Sequence, residues 1–383
     1  MKRHLSSRIA VPLSSSIALL LTVVAVSPAH GGAISPSDIL IYQVGDNVTN
    51  ATGNGASPIY IQEINPSLSS QTTPVQSFAI STNATTSLWG SSNGSEGILD
   101  LSDNGTLLTF GSWIGQNATE DTILSRGSGE LNSSGVYTQP SASDYTVASG
   151  DNSGQLRASY SPDGSTFYSS DKYGIYTNGG TSALNSANIR AMKEFGGQLY
   201  ALSQSAPELS TVTFTGSPAT SASLTTASGL SGTDANANDF VLLSSGANGS
   251  QLDTMYILDS SSSGKLKKYA LIGGTWTAEG SGTTIANGDG ITGEVVGGQF
   301  ELFLTVDPGS SAGGYVEEIT DSAAFNAVPT LSTANVLYTA PVGDLVQGVS
   351  LAPTPEPSTL AAVVGGLGML LGFGKMRRGS WKR

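Results

Sequence analysis

From Asp38 to Leu351 the chain is a succession of short apolar runs, each bounded by clusters of Gly, Asn, Asp and Ser. That punctuation is the strongest constraint on the fold, because runs of this length between turn-forming residues are strand signals. The clearest are Ile39–Val44, Ile59–Ile64, Val75–Ile80, Thr106–Phe110 and Phe167–Tyr176. Gln198–Leu202, Asp253–Leu258, Leu266–Ile272, Phe300–Val306 and Leu345–Leu351 continue the series. No stretch sustains a 3.6-residue period, although Ala183–Glu194 suits one short helical turn. The expectation is an all-β domain.

Two turn motifs repeat. Leu101-Ser-Asp-Asn-Gly-Thr-Leu-Leu returns as Tyr160-Ser-Pro-Asp-Gly-Ser-Thr-Phe, and Phe195-Gly-Gly-Gln-Leu-Tyr200 returns as Val296-Gly-Gly-Gln-Phe-Glu-Leu302. The Ser-Pro-Asp-Gly turn resembles the strand connections of β-propeller blades. The body also resembles a seven-bladed family of secreted proteins, with Asp38-Ile-Leu-Ile-Tyr-Gln-Val-Gly45 as its opening strand. Seven blades over residues 38–351 would take about 45 residues each, within the range of such repeats. A β-helix or two β-sandwiches are the alternatives. A ring must be closed by strands from both ends of the chain, or its first and last blades expose unpaired edges. Ile39–Val44 and Leu345–Leu351 are therefore expected in the same or adjacent blades, with Ala352 and the proline hinge on the rim.

The two ends differ from the body. Lys2, Arg3 and Arg8 precede the apolar stretch Ile17–Val26 and the small residues around Ala29-His30-Gly31. This is the order of a secretory leader, with Ala29, Gly31 or Ala33 as the last residue removed. At the other end, Pro353, Pro355 and Pro357 make an extended hinge that cannot join a helix interior. Ser358–Gly374 then carries no charge and is just long enough to span a bilayer as a helix, for which about 17 residues is the lower limit. Lys375, Arg377, Arg378, Lys382 and Arg383 close the chain, a positive cluster that places the C-terminus in the cytoplasm and the body outside.

Pro355-Glu356-Pro357, an apolar helix and an arginine-containing end, in this order, resemble the PEP-CTERM sorting signal of Gram-negative bacteria. The same tail is also known as the "ice-binding protein C-terminal" segment, a term that does not imply ice binding. The resemblance implies that Pro355, Glu356 and Pro357 are recognised by an exosortase, a membrane enzyme resembling a cysteine transpeptidase. It further implies that Lys375, Arg377 and Arg378 act as the membrane stop. Gly-Ser-Trp-Lys-Arg after the arginines is a departure from the pattern. The chain thus divides into three regions: a signal peptide at 1–31, a propeller ectodomain at 32–352 and a sorting and membrane segment at 353–383.

Charge and chemistry narrow the function. Half of the 16 basic residues lie in the two end segments, whereas 28 of the 29 acidic residues lie in the body, which carries a net −20. That excess argues against nucleic acid and anionic lipid as partners of the ectodomain. Cysteine is absent, and both histidines, His4 and His30, lie in or beside the leader. Ser-His-Asp hydrolysis, cysteine nucleophiles and His/Cys zinc sites are thereby excluded from the body. Carboxylate chemistry remains open. Glu317-Glu318 is a pair in sequence, but strand neighbours point to opposite faces. Asp151, Asp163, Asp171 and Asp289 lie in Gly/Asn/Ser-rich segments that could offer oxygen ligands to calcium, although turn formation explains such residues as well. Trp89, Trp113 and Trp276 suit packing between blades better than stacking on sugars. Asn50, Asn83 and Asn117 begin glycosylation-type sequons that composition alone explains.

The expectation is an exported, membrane-tethered and exosortase-processed protein of the cell surface or extracellular matrix, with a binding or structural role. Its partners would be the Sec export machinery, the exosortase and exopolysaccharide; it would be no enzyme and need no cofactor. The alternative is a glycosidase-type enzyme acting on extracellular polysaccharide through paired carboxylates.

Overall fold

A computed structural model of the chain describes residues 31–46, 55–92, 96–116, 125–140, 145–146, 156–177, 180–203, 208–230, 236–261, 263–308 and 312–355. The leader up to residue 30, Asn50, Asn117, Asp151, Glu356, Pro357, the apolar tail and Lys375, Arg377 and Arg378 lie outside them. Among the described residues no helix is long and apolar enough to cross a membrane.

The described strands form six antiparallel sheets arranged around an axis as the blades of a β-propeller. From the axis outward, blade 1 is Leu345–Leu351, Ile39–Val44, Ile59–Ile64 and Gln76–Ala79. Blade 2 pairs Leu88–Trp89 and Asp100–Leu101 with the inner edge of Leu107–Ile114, followed by Ser125–Asn132 and, outside it, Tyr137–Thr138 and Tyr145–Thr146. Blade 3 has three strands, Ala158–Tyr160, Tyr168–Asp171 and Gly174–Thr177. Blade 4 runs Ile189–Phe195, Gln198–Ser203, Leu209–Thr215 and Ser221–Thr226. Blade 5 runs Ala237–Leu243, Thr254–Asp259, Lys265–Ile272 and Thr275–Thr284. Blade 6 runs Gly288–Val296, Gln299–Val306, Tyr315–Asp321 and Asn335–Thr339.

The expected count of seven blades is corrected to six. Blade 2 accounts for much of the difference, since broken inner and outer edges spread it from Leu88 to Thr146. Each blade therefore averages roughly 50 residues, a length at which propeller repeats also occur.

The expected helical turn at Ala183–Glu194 is also corrected. Its second half is the inner strand Ile189–Phe195, with Ile189, Ala191 and Met192 buried in a core shared with blades 3 and 5. Phe167–Tyr176, read as one strand, is a hairpin turning at Lys172-Tyr173, where the Asp171 carboxylate accepts Tyr173 N and Gly174 N.

The repeated motifs occupy equivalent places. Both polar turns and both Gly-Gly turns connect an inner strand to the next strand of its blade, in blades 2, 3, 4 and 6. Asn104 and Asp163 each accept two hydrogen bonds from the Thr two or three residues on, which closes the polar turns. Gly196-Gly197 and Gly297-Gly298 have positive φ at both positions, the requirement of a two-residue hairpin that matches strand twist.

The ring closes as expected, and in the same blade. Ile39–Val44 pairs antiparallel with Ile59–Ile64 on one side and Leu345–Leu351 on the other. All six of its residues are buried. Leu40, Tyr42 and Val44 pack with blade 2, whereas Ile39 and Ile41 pack with blade 6, which explains an apolar run without alternation. Two glycines of the inner strands leave no space for a side chain. A Cβ on Gly348 would lie 2.0 Å from Gly97 O, and one on Gly290 would lie 2.7 Å from Gln347 O. Blades 6, 1 and 2 thus meet backbone against backbone.

Candidate functional site

The C-terminal ends of the inner strands converge on one mouth of the axis, where they surround a cavity of about 240 Å³. Asp100, Asp103, Lys193, Glu194, Val241 and Ser350, from blades 1, 2, 4 and 5, are among its lining residues. Charged groups are held here because each is braced by another blade.

Lys193, nearly fully buried, donates to Asp239 Oδ2 at 2.7 Å, Ile291 O at 2.8 Å and Phe240 O at 3.3 Å. These partners match the three donors of an ammonium. Asp239 also accepts Ile291 N and its neighbour Phe240 N. Burial pushes the Asp239 carboxyl up, against the charge and hydrogen bond of Lys193. The pair ties blades 4, 5 and 6 together and leaves the lysine no donor for a ligand.

Glu194 points the other way along the strand. Its Oε1 accepts Tyr160 OH at 3.1 Å and its Oε2 accepts Asp103 N at 2.9 Å, while Asp103 Oδ1 accepts Gly197 N at 2.7 Å. Burial pushes the Tyr160 phenol up, reinforced by the Glu194 charge, so it serves as a donor. Asp100 is 2 % exposed. Its Oδ1 accepts Glu194 N at 2.9 Å, and its Oδ2 has no hydrogen-bond partner among the described residues. Burial pushes this carboxyl well above the carboxylate range; the Glu194 N–H and Lys193 pull it back, and the charges of Glu194 and Asp239 push it further.

Chemically, the mouth is rich in acceptors and has no uncommitted cation among the lining residues described above. It disfavours phosphate or carboxylate and suits a neutral ligand with hydroxyl groups or a positively charged one. Among the described residues no group of three or more His, Cys, Asp or Glu is placed to hold a metal ion.

The candidates from the sequence are scattered. Glu317 is buried and Glu318 half-exposed, on opposite faces of one strand as the spacing requires. Asp163 and Asp171 close turns. Asp289 is buried near the axis, its carboxyl pushed up by burial and by Asp307. Trp89 packs on Trp113, and Trp276 joins the core of blades 3 to 5. Pro355 lies on the surface beside Asn132, Ser133 and Ser134. Lys193, Glu194, Asp239 and Asp100 escaped sequence reasoning. The available signal was a charged pair inside Ile189-Arg-Ala-Met-Lys-Glu-Phe195 and an Asn-Asp opening the apolar run that ends at Leu243.

No protein-family model and no curated protein matches the chain. Among solved structures it is similar to a Bacteroides fragilis protein assigned as a 6-phosphogluconolactonase, at 11 % identity and TM-score 0.43 over 78 % of this chain and 82 % of that one. A chain of a nidogen/laminin complex matches at 11 % identity and TM-score 0.43, over 82 % and 97 %. A luciferin-regenerating enzyme matches at 14 % identity and TM-score 0.35, over 63 % and 75 %. Likeness at such identities concerns the fold and none of the reactions or partners.

Proposed function

We propose that the chain is an exported propeller, tethered to the inner membrane by its tail as a precursor and then released to the cell surface or matrix by an exosortase-type enzyme. Its work there is binding or structural, and the axial mouth takes a hydroxyl-rich ligand of the exopolysaccharide class. The observation that carries this reading is where the two ends leave the ring. Gly31 N donates to Gly135 O at 3.3 Å and Ile34 N to Ser133 O at 2.9 Å. Pro355 lies against Asn132, Ser133 and Ser134, and Thr354 N donates to Gly105 O at 2.6 Å. Leader and tail thus depart from one small patch of blade 2, so both can enter the same bilayer without straddling the body. From the inner strand Leu345–Leu351, whose Ser350 and Leu351 line the cavity, the chain crosses blade 2 past Gly105 and reaches Pro355 beside the Asn132–Ser134 turn. The ring is complete at Ala352, whose N–H donates to Asp38 O, so a cut beyond Pro355 takes nothing from the core.

Replacing Pro355, Glu356 and Pro357 with alanines is expected to leave a full-length protein in the inner membrane. Intact masses showing the same processed C-terminus in variant and parent would overturn the sorting reading.

The enzymatic alternative has one observation in its favour, since the Asp100 and Glu194 carboxyl groups share the mouth. Both Glu194 oxygens already accept protein hydrogen bonds, which ranks it second. Purified protein is expected to bind neutral oligosaccharides weakly without cleaving them, and Ser350→Trp, which fills the cavity, should abolish that binding. Release of reducing ends above a boiled control, lost in Asp100→Asn, would establish the enzyme instead.

A further inference from the structure

The seam that closes the ring holds a second cavity, of about 340 Å³, between blades 1 and 6. Its floor follows from the register of blade 1. Gln43 pairs with Tyr60 and Tyr60 with Ala79, while Ile41 pairs with Gln62 and Gln62 with Ser77. Gln43, Tyr60, Gln62 and Ser77 therefore share the face of the sheet turned to blade 6, because residues opposite one another in an antiparallel pair lie on one side. The apolar packing of Ile39 and Ile41 against blade 6 gives way there to polar groups. A strap makes one wall. Ser70 N and Gln71 N donate to Val336 O and Leu337 O, both at 2.8 Å, and Thr339 N donates to Gln71 O at 3.0 Å. The outer turn of blade 1 is thereby stitched to the outer strand of blade 6, and Thr72-Thr73-Pro74 crosses the seam beside the cavity.

The hydrogen bonds of this floor run in one direction. An ionised Asp344 carboxylate can only accept, so Gln43 turns its amide nitrogen toward Asp344 Oδ2, at 3.1 Å. Gln43 Oε1 then accepts Tyr338 OH at 2.9 Å and Gln62 Nε2 at 3.3 Å. The second amide is fixed in turn. Gln62, 5 % exposed, is left with Oε1 as a buried acceptor that has no partner among the described residues. An open buried acceptor is destabilising, and here only a donor from outside the chain is left to fill it. The Asp46 and Asp344 carboxylates line the same cavity, whereas no lysine, arginine or histidine does. The Tyr60 phenol senses both: burial pushes it up, and the charges of Asp46 and Asp344 push it further. We propose that this cleft binds a small organic cation, whose primary ammonium donates to Gln62 Oε1 in the field of Asp46 and Asp344 while its carbon body rests on Pro74 and Pro341. A metal ion fits less well. Calcium takes about six to eight converging oxygens, and among the described residues no group of three or more His, Cys, Asp or Glu comes together. The cleft shares no lining residue with the axial mouth and does not depend on the reading of that mouth.

The test is a ligand-observed NMR titration of the purified full chain with glucosamine, butylamine and glucose. The two amines are expected to bind and glucose to stay silent; the tighter amine tells whether the ammonium is carried by a sugar or by an alkyl chain. Gln62→Leu keeps the volume but removes the open acceptor, and should weaken amine binding roughly tenfold, the scale of one lost hydrogen bond. Ser77→Trp starts from an exposed position on the rim, fills the cleft without entering the core, and should abolish binding. Ser350→Trp, at the axial mouth, should leave it unchanged. Melting midpoints close to the parent's would show that the variants are folded, and Ser77→Trp carries the test if Gln62→Leu is not. Glucose binding as tightly as the amines would overturn the cation assignment. Amine binding that survives Ser77→Trp, or that Ser350→Trp removes, would overturn the site, as would a parent protein that binds neither amine.

Discussion

A chain lacking residues 31–45 is expected to show no cooperative melt, rather than a slightly lowered one. Ile39–Val44 is the second strand of blade 1 counted from the axis, although it comes first in the chain. Its removal leaves Leu345–Leu351 with no partner in its own blade and exposes the inner edge of Ile59–Ile64, two edges open to pairing with other molecules. It also empties both faces of the seam. Ile39, Leu40, Ile41, Tyr42 and Val44 are each at most 1 % exposed. At about 1.5–3 kcal/mol for each buried apolar side chain, their loss rivals the whole stability of a typical domain, about 5–15 kcal/mol. Gln43 goes too, and with it the amide that accepts Tyr338 OH at 2.9 Å and donates to Asp344 Oδ2 at 3.1 Å. Thermal unfolding followed by circular dichroism, with size-exclusion chromatography, measures the outcome. A cooperative transition within a few degrees of the parent would mean that the ring is not closed by this strand.

That seam was legible in the sequence because strands packed on both faces read as mostly apolar runs, interrupted here only by Gln43 in one strand and by Gln347, Gly348 and Ser350 in the other. Ile39–Val44 and Leu345–Leu351 were both found to the residue. In blade 2, where Thr106–Phe110 was read, the next strand was not legible for the opposite reason. Its strand Ser125–Asn132 reads Ser-Arg-Gly-Ser-Gly-Glu-Leu-Asn, which has the composition of a loop. It is a strand because its small residues let neighbours approach: a Cβ on Gly129 would lie 2.7 Å from Phe110, and Ser128 Oγ is bonded to the hydroxyls of Ser159 and Ser169. Serine and glycine here build an interior rather than a surface, and no local pattern separates the two uses. The blade count failed at the same place, since an even division of the chain cannot anticipate one blade with broken edges.

The site was less legible than the fold. Its charged residues belong to four strands or adjoining turns spread from Asp100 to Asp239, and only closure of the ring brings them together. Sequence reasoning looked for carboxylates in Gly/Asn/Ser-rich segments, where Asp163 and Asp171 turned out to satisfy backbone N–H groups of their own turns. The charges that converge on the axis lie within or beside apolar strands, where each needs a partner from another blade to be tolerated.

The same logic operates away from the axis, where it makes the largest single-residue prediction. Lys268 and Asp321, on the middle strands of blades 5 and 6, are paired at 2.8 Å with side chains 0 % exposed. Asp321 Oδ2 also accepts Tyr256 OH at 2.7 Å, while its Oδ1 accepts Ala323 N at 2.9 Å and Thr330 N at 2.8 Å. Lys268 Nζ donates further to Ala324 O and lies 4.9 Å from the centre of the Phe300 ring. Lys268→Met keeps the aliphatic stem but leaves a carboxylate buried without its counter-charge. The expected cost is about 3–5 kcal/mol, the range found when one member of a buried pair is removed. An exposed pair would cost no more than about 1 kcal/mol. Adding Asp321→Asn to Lys268→Met removes the stranded charge and should recover part of the loss, because the amide oxygen can still accept from the Ala323–Thr330 loop. Urea unfolding of the parent, the two single variants and the double variant gives the coupling directly. A Lys268→Met loss below about 1 kcal/mol would place the pair in water, and blades 5 and 6 would then have to be held by their apolar contacts alone.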